Sequence, residues 1–108
     1  LIGLTALQDH LVYGAAKAAM DQMTRILAYE LGPYKIRCNS VNPTVIWTDM
    51  GKQGWSDDSK RQAMIAKTPA RRFGEPEEVC NAILFLLSDK AEMITGHCLP
   101  VDGGLLCC

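Results

Sequence analysis

The chain has 108 residues, 48% of them apolar and 21% charged, with a net charge of −1. That is ordinary globular composition, which excludes a disordered tract, and the near-neutral balance excludes a basic stripe for nucleic acid or an anionic membrane. No apolar run approaches the roughly 20 residues needed to span a bilayer; Ala82 to Leu87 is only core-sized.

Positions 1–11 carry no clean period. From about Val12 to Leu31, apolar residues at helical spacing (Ala16, Ala19, Met20, Met23, Ile26, Leu27, Leu31) predict a long helix. Gly32-Pro33 is its expected stop, through a left-handed glycine cap and a residue that cannot continue a helix. Ile36 to Val41, bounded by Pro33 and by Asn42-Pro43, predicts a strand. Helix, stop and strand form half of a βαβ unit, which favours α/β architecture with a parallel sheet. Thr44 to Arg72 reads as loop with one short helix, opening at Ser56 or Asp57 and running through Ala63, Met64 and Ile65. Gly74-Glu75-Pro76-Glu77-Glu78 is a stronger helix start, with Pro in the first turn and acids at the positive dipole end. That helix runs to about Leu87 and is apolar on most faces, so it is expected to be buried. His97 to Val101 predicts a final strand, which Pro100 makes an edge or interrupted one.

Five cysteines (Cys38, Cys80, Cys98, Cys107, Cys108) form no C-x-x-C and are odd in number. Neither a disulfide framework nor a zinc site fits, and a reducing, cytoplasmic compartment is the expectation. The opening Leu1-Ile2-Gly3, without an initiator Met, predicts a piece of a longer product.

Tyr13 and Lys17, four residues apart, share one face of the first helix. A phenol beside a fixed ammonium has its anionic form favoured, which suits proton exchange with a carbonyl oxygen or an alcohol. Taken alone, such a pair is more often a solvated helix face. The stretch Asn42-Pro43-Thr44-Val45-Ile46-Trp47-Thr48 leaves the carboxyl end of the predicted strand, where open α/β sheets bind ligands. Backbone groups plus the Thr48 hydroxyl suit a planar amide, although an ordinary strand exit has the same form.

These pieces occur in order: Tyr13-x-x-x-Lys17, Glu30-Leu31-Gly32, Ile36 to Pro43, Thr48, Pro69 to Val79 with Arg71-Arg72-Phe73-Gly74-Glu75-Pro76, and Val101-Asp102-Gly103-Gly104. The set resembles the C-terminal half of a short-chain dehydrogenase/reductase across essentially the whole chain. It is nearest to the family's reductases of sugars and small dicarbonyls, because Thr44 stands where most members carry Gly. The resemblance implies that residues 1–108 are part of one domain of Rossmann type, a doubly wound parallel sheet with the dinucleotide-phosphate half absent. It implies NADP(H) as cofactor and a small carbonyl or sugar as substrate. Tyr13 would be the general acid. Lys17 would stabilise its anion and bond the nicotinamide ribose. Pro43, the backbone of Ile46 and the Thr48 hydroxyl would hold the carboxamide.

The resemblance also places the family's catalytic Ser just ahead of Leu1 and its glycine-rich loop further upstream, so the chain alone is expected to be inactive. His10 is expected near the substrate and Trp55 as an apolar lid, against the alternatives of a surface His and a Trp packed on the following helix. Trp47 and His97 read as structural and Arg71-Arg72 as ion-pairing. Cys107 and Cys108 read as an inert tail, with an oxidation-sensitive role near a neighbouring subunit also conceivable. A homo-oligomer, a tetramer, is expected through the long helix, whose small face is Ala15, Ala16 and Ala19, and through the C-terminal region. Two other readings stay open: another reductase of the family, such as a 3-oxoacyl carrier-protein reductase, and a truncated, non-catalytic product acting in oligomer assembly.

Overall fold

The computed structural model describes residues 9–107. In chain order they form α1 (Leu11–Leu31), β1 (Ser40–Pro43), α2 (Asp49–Gly54), α3 (Asp58–Lys67), α4 (Pro76–Leu87) and β2 (Cys98–Val101), with short 3₁₀ turns between and after them. The two strands pair in parallel, Ser40 opposite Cys98 through Pro43 opposite Val101. Parallel neighbours require a long crossover, and α2 to α4 supply it. The α/β class with a parallel sheet is thus present.

α1 spans 21 residues, about 31 Å. Its buried positions are Asp21, Thr24 and Ala28, a three-then-four spacing that keeps them on one face toward the sheet. Continued backwards in steps of four, that face carries Lys17 and Tyr13. Ala28 lies where the chain turns at Gly96 (φ +74), close enough that a Cβ on Gly96 would sit 3.3 Å from the Ala28 Cβ. The expected glycine cap at Gly32 does not form. Gly32 is helical at φ −52, Pro33 tightens the chain into a 3₁₀ turn, and Lys35 takes the left-handed conformation at φ 61. Because Pro33 has no N–H, the ladder tightens and the reversal moves three residues on.

The strand expected from Ile36 starts later, at Ser40. Residues 38 and 39 are held instead by the turn before β2: the Cys38 N–H donates to Thr95 Oγ1 at 3.1 Å, and Gly96 N–H to the Cys38 carbonyl at 2.7 Å. Asn39 donates to the Ile94 carbonyl at 2.8 Å and accepts from the His97 N–H at 3.0 Å. These side-chain bonds replace a ladder. At the other end the strand runs through Pro43, since the donor to Val101 is the Thr44 N–H.

α4 begins as expected. Glu75 and Glu78 form both limbs of a capping box, the Glu75 N–H donating to Glu78 Oε2 at 2.8 Å. Its expected burial is not found. Leu86 is the buried residue of the helix, while Leu84 and Leu87 are 64% and 74% exposed. One face meets the strands, and its other apolar faces have no cover among the described residues. Beside it lies a groove of about 260 Å³ lined by Arg37, Asn39, Val41, Ile83, Leu86 and Leu87.

The same incompleteness shows in the dimensions. The chain exposes 7680 Å², against about 6,000 Å² for a compact protein of this mass. Its radius of gyration is 15.3 Å, against about 13 Å expected. Among the described residues no helix is long and apolar enough to cross a membrane.

Candidate active site

Two clusters hold the predicted site residues. The first is the start of α1. The Lys17 ammonium lies 5.2 Å from the centre of the Tyr13 ring, within cation–π range, and the His10 ring meets Tyr13 edge-on at 6.2 Å. The i, i+4 spacing therefore does bring phenol and ammonium together. Tyr13 is half exposed and His10 is exposed at the head of the helix.

The second cluster is the loop after β1. Pro43 ends the strand. Ile46 makes an isolated parallel bridge to Gly74, through Trp47 N–H to the Gly74 carbonyl at 2.8 Å and Gly74 N–H to the Val45 carbonyl at 3.0 Å. Two glycines make room for Ile46. A Cβ on Gly51 would lie 2.2 Å from the Ile46 carbonyl oxygen, and one on Gly74 would lie 2.7 Å from Ile46 Cδ1. Thr48 caps α2, its hydroxyl oxygen accepting from the Gly51 N–H at 3.1 Å, and an accepting hydroxyl keeps its own proton to donate. Among the described residues no acceptor meets the Ile46 N–H.

A buried hydrogen bond joins the clusters. Asn42 Nδ2 donates to both carboxylate oxygens of Asp21, at 3.1 and 3.2 Å. Asp21 lies one turn after Lys17, and Asn42 immediately precedes Pro43. Neither residue was among the sequence candidates. The available signal was the step of four from Tyr13 to Lys17 to Asp21, which puts a carboxylate on the sheet side of the helix.

Other candidates stand apart. Trp55 follows α2, and its ring packs against Phe73 at 5.6 Å, as does that of Trp47. Arg61 donates to the Trp55 carbonyl at 3.2 Å. Trp55 thus packs in an aromatic cluster here, against Phe73 and beside α3. His97 makes backbone bonds to Asn39 and Ser40. Arg72 pairs with Glu78 in a two-pronged fork, at 2.7 and 2.5 Å, as the ion-pairing expectation had it, while Arg71 bonds the Ala66 carbonyl. No group of three or more metal-ligating side chains occurs among the described residues.

The family model described as enoyl-(acyl carrier protein) reductase matches residues 1–106. The chain belongs to the short-chain dehydrogenase/reductase family. It is similar to an L-xylulose reductase of Caenorhabditis elegans, 59% identical over 91% of this chain and 39% of the relative. It is 55% identical to a D-erythrulose reductase of Gallus gallus, over 94% of this chain and 41% of the relative. Among solved structures, 4-hydroxyisoleucine dehydrogenase complexed with NADH superposes with a TM-score of 0.94 at 31% identity, covering 99% of this chain and 44% of that one. The chain therefore spans about two-fifths of the length of the curated relatives it matches. Its fold is that of the Rossmann-type short-chain dehydrogenases/reductases, a family of oxidoreductases.

Proposed function

We propose that these residues form the C-terminal part of a single reductase domain, whose full-length protein reduces a small carbonyl substrate, L-xylulose to xylitol and α-dicarbonyls, with NADPH. The observation that carries this reading is the Lys17 ammonium beside the Tyr13 ring, on the helix face that Asp21 and Asn42 tie to the Pro43–Thr48 loop. Identity of 59% to an L-xylulose reductase supports the substrate class. Thr44, rather than glycine, after Pro43 favours this class over a 3-oxoacyl carrier-protein reductase.

The residues present fit a nicotinamide dinucleotide. The Ile46 N–H, which meets no acceptor among the described residues, and the Thr48 O–H would hold a carboxamide beside Pro43, and the Lys17 ammonium would donate to ribose hydroxyls. When bound, the dinucleotide supplies the hydride that reaches the carbonyl carbon. Tyr13 gives its phenolic proton to the carbonyl oxygen as negative charge develops there. Lys17 holds the resulting phenolate next to a positive charge. His10, edge-on to Tyr13, contacts the substrate hydroxyls, and Trp55 serves as an apolar lid only on leaving the Phe73 cluster in which it packs. Ala15, Ala16 and Ala19 are exposed on α1 and permit close helix approach in a homotetramer. Cys38, Cys80 and Cys98 are free thiols, which fits a cytoplasmic setting.

The test is steady-state reduction of L-xylulose and diacetyl by the full-length protein, with NADPH and NADH compared. Turnover of both substrates, faster with NADPH, is the expected result; no turnover sinks the assignment. The isolated 108-residue chain should show none, and clear activity there would overturn the half-site reading.

A further inference from the structure

We propose that Asp21 is a positioning residue, which sets the Tyr13–Lys17 face of α1 against the Pro43–Thr48 loop through its buried bond to Asn42. The inference rests on the functional reading above. Asp21 and Asn42 are 5% and 8% exposed. Asn42 Nδ2 donates to both Asp21 oxygens, and Asn42 Oδ1 accepts from Ser40 Oγ at 3.3 Å, which fixes which way the amide faces. The backbone of Asp21 is engaged as well: Cys98 Sγ lies 3.8 Å from its carbonyl oxygen. Helix α1 thus meets both strands at this one residue.

A buried carboxylate opposite a neutral amide is a costly way to pack a helix on a strand, because among the described residues no cationic partner offsets its loss of solvent. An apolar pair of similar volume would hold the two elements together equally well. What the polar pair adds is direction. Its bond tolerates little sliding or rotation of α1, and it lies one helical turn from Lys17 on one side and one residue from Pro43 on the other. A misplacement of about 1 Å between groups that must meet one substrate costs roughly 10²-fold in rate. The position of Asp21 is therefore where such an error is prevented.

The experiment uses the full-length protein and three variants: Asp21→Asn, Asn42→Ala, and the apolar pair Asp21→Leu with Asn42→Val. Melting temperature, kcat, KM and the dinucleotide Kd by titration are measured for each. The apolar pair should keep a melting temperature near that of the unaltered protein, yet lose about 10- to 100-fold in kcat/KM with a raised Kd. Asp21→Asn keeps an oxygen that accepts from Asn42 and should recover most of both. Kinetics and Kd like the unaltered protein in the apolar pair would overturn the inference, leaving Asp21 a packing residue. Asp21→Asn as impaired as the apolar pair would also overturn it, since charge and not position would then matter. Should the apolar pair not fold, Asn42→Ala takes its place with the same two readings. Absent turnover in the unaltered protein defeats the functional reading itself, while the Kd comparison still decides Asp21.

Discussion

The two long helices begin in opposite ways. α4 opens on residues within seven positions of one another: the Glu75–Glu78 box, with Arg72 forked onto Glu78. α1 opens at His10 with no side-chain cap bond and no acid in its first turn, after Asp9 in the left-handed region at φ 62. Its polar anchor comes later, at Asp21, and the partner sits on another element. One start is a local stability device. The other leaves its first two turns to Tyr13 and Lys17 and takes its position from the sheet. The sharpest way to break this contrast is Tyr13→Phe in the full-length protein. Tyr13 is half exposed and its hydroxyl makes no hydrogen bond among the described residues, so its removal should leave the melting temperature unchanged, while loss of the proposed proton donor should lower kcat by about 10²- to 10⁴-fold. A stability loss with intact turnover would reverse the roles of the two helix starts.

The end of α4 is not self-sufficient in the way its start is. Arg37, from the lead-in to β1, donates to the carbonyls of Leu86 at 2.6 Å, Ser88 at 3.3 Å and Ile94 at 3.4 Å. A guanidinium there both satisfies carbonyls left over at the helix end and meets the negative end of its dipole. Arg37→Ala should cost about 1–3 kcal/mol, read as a lower denaturant midpoint with an unchanged m-value. A silent substitution would show that α4 is closed locally at both ends.

The same distinction decides what could be read from the residues alone. α3 and α4 carry their periodicity and start signals within a dozen positions and α1 carries its periodicity, so all three stand near the expected places, and Asp57 does cap α3. α2 escaped because Gly51 and Gly54 lower helix propensity. Gly51 is there for a tertiary reason, the Ile46 carbonyl that leaves no space for a Cβ. The start of β1 moved because Asn39 and Thr95, more than fifty positions apart, take over the bonding. α4 is less buried than its sequence predicts because apolar faces record what a helix can pack against, and the described residues supply only part of it. In the site, Tyr13 and Lys17 were legible as a local spacing. The Asp21–Asn42 link was not, since nothing in either segment names the other.

The smallest effect separates the local start of α4 by pH. Glu78 is held at about 2, well below its ordinary 4.5, first by the Arg72 guanidinium and then by the Glu75 N–H. A carboxylate whose folded value is depressed stabilises the fold fully above its unfolded value and loses that contribution as pH falls toward the folded one. Stability from this cap should therefore be complete above about 4.5 and disappear on the way to about 2. Compared with Glu78→Gln, the full-length protein should have the higher urea midpoint near neutrality, with the gap narrowing through that window. Asp57 is also depressed, by the Lys60 N–H foremost, but it is common to both proteins and cancels in the difference. Because the Arg72–Glu78 pair is solvent-facing, added salt should shrink the gap at every pH. A gap independent of pH would mean that Glu78 acts through packing or helix propensity, and that the start of α4 is not the electrostatic counterpart to α1.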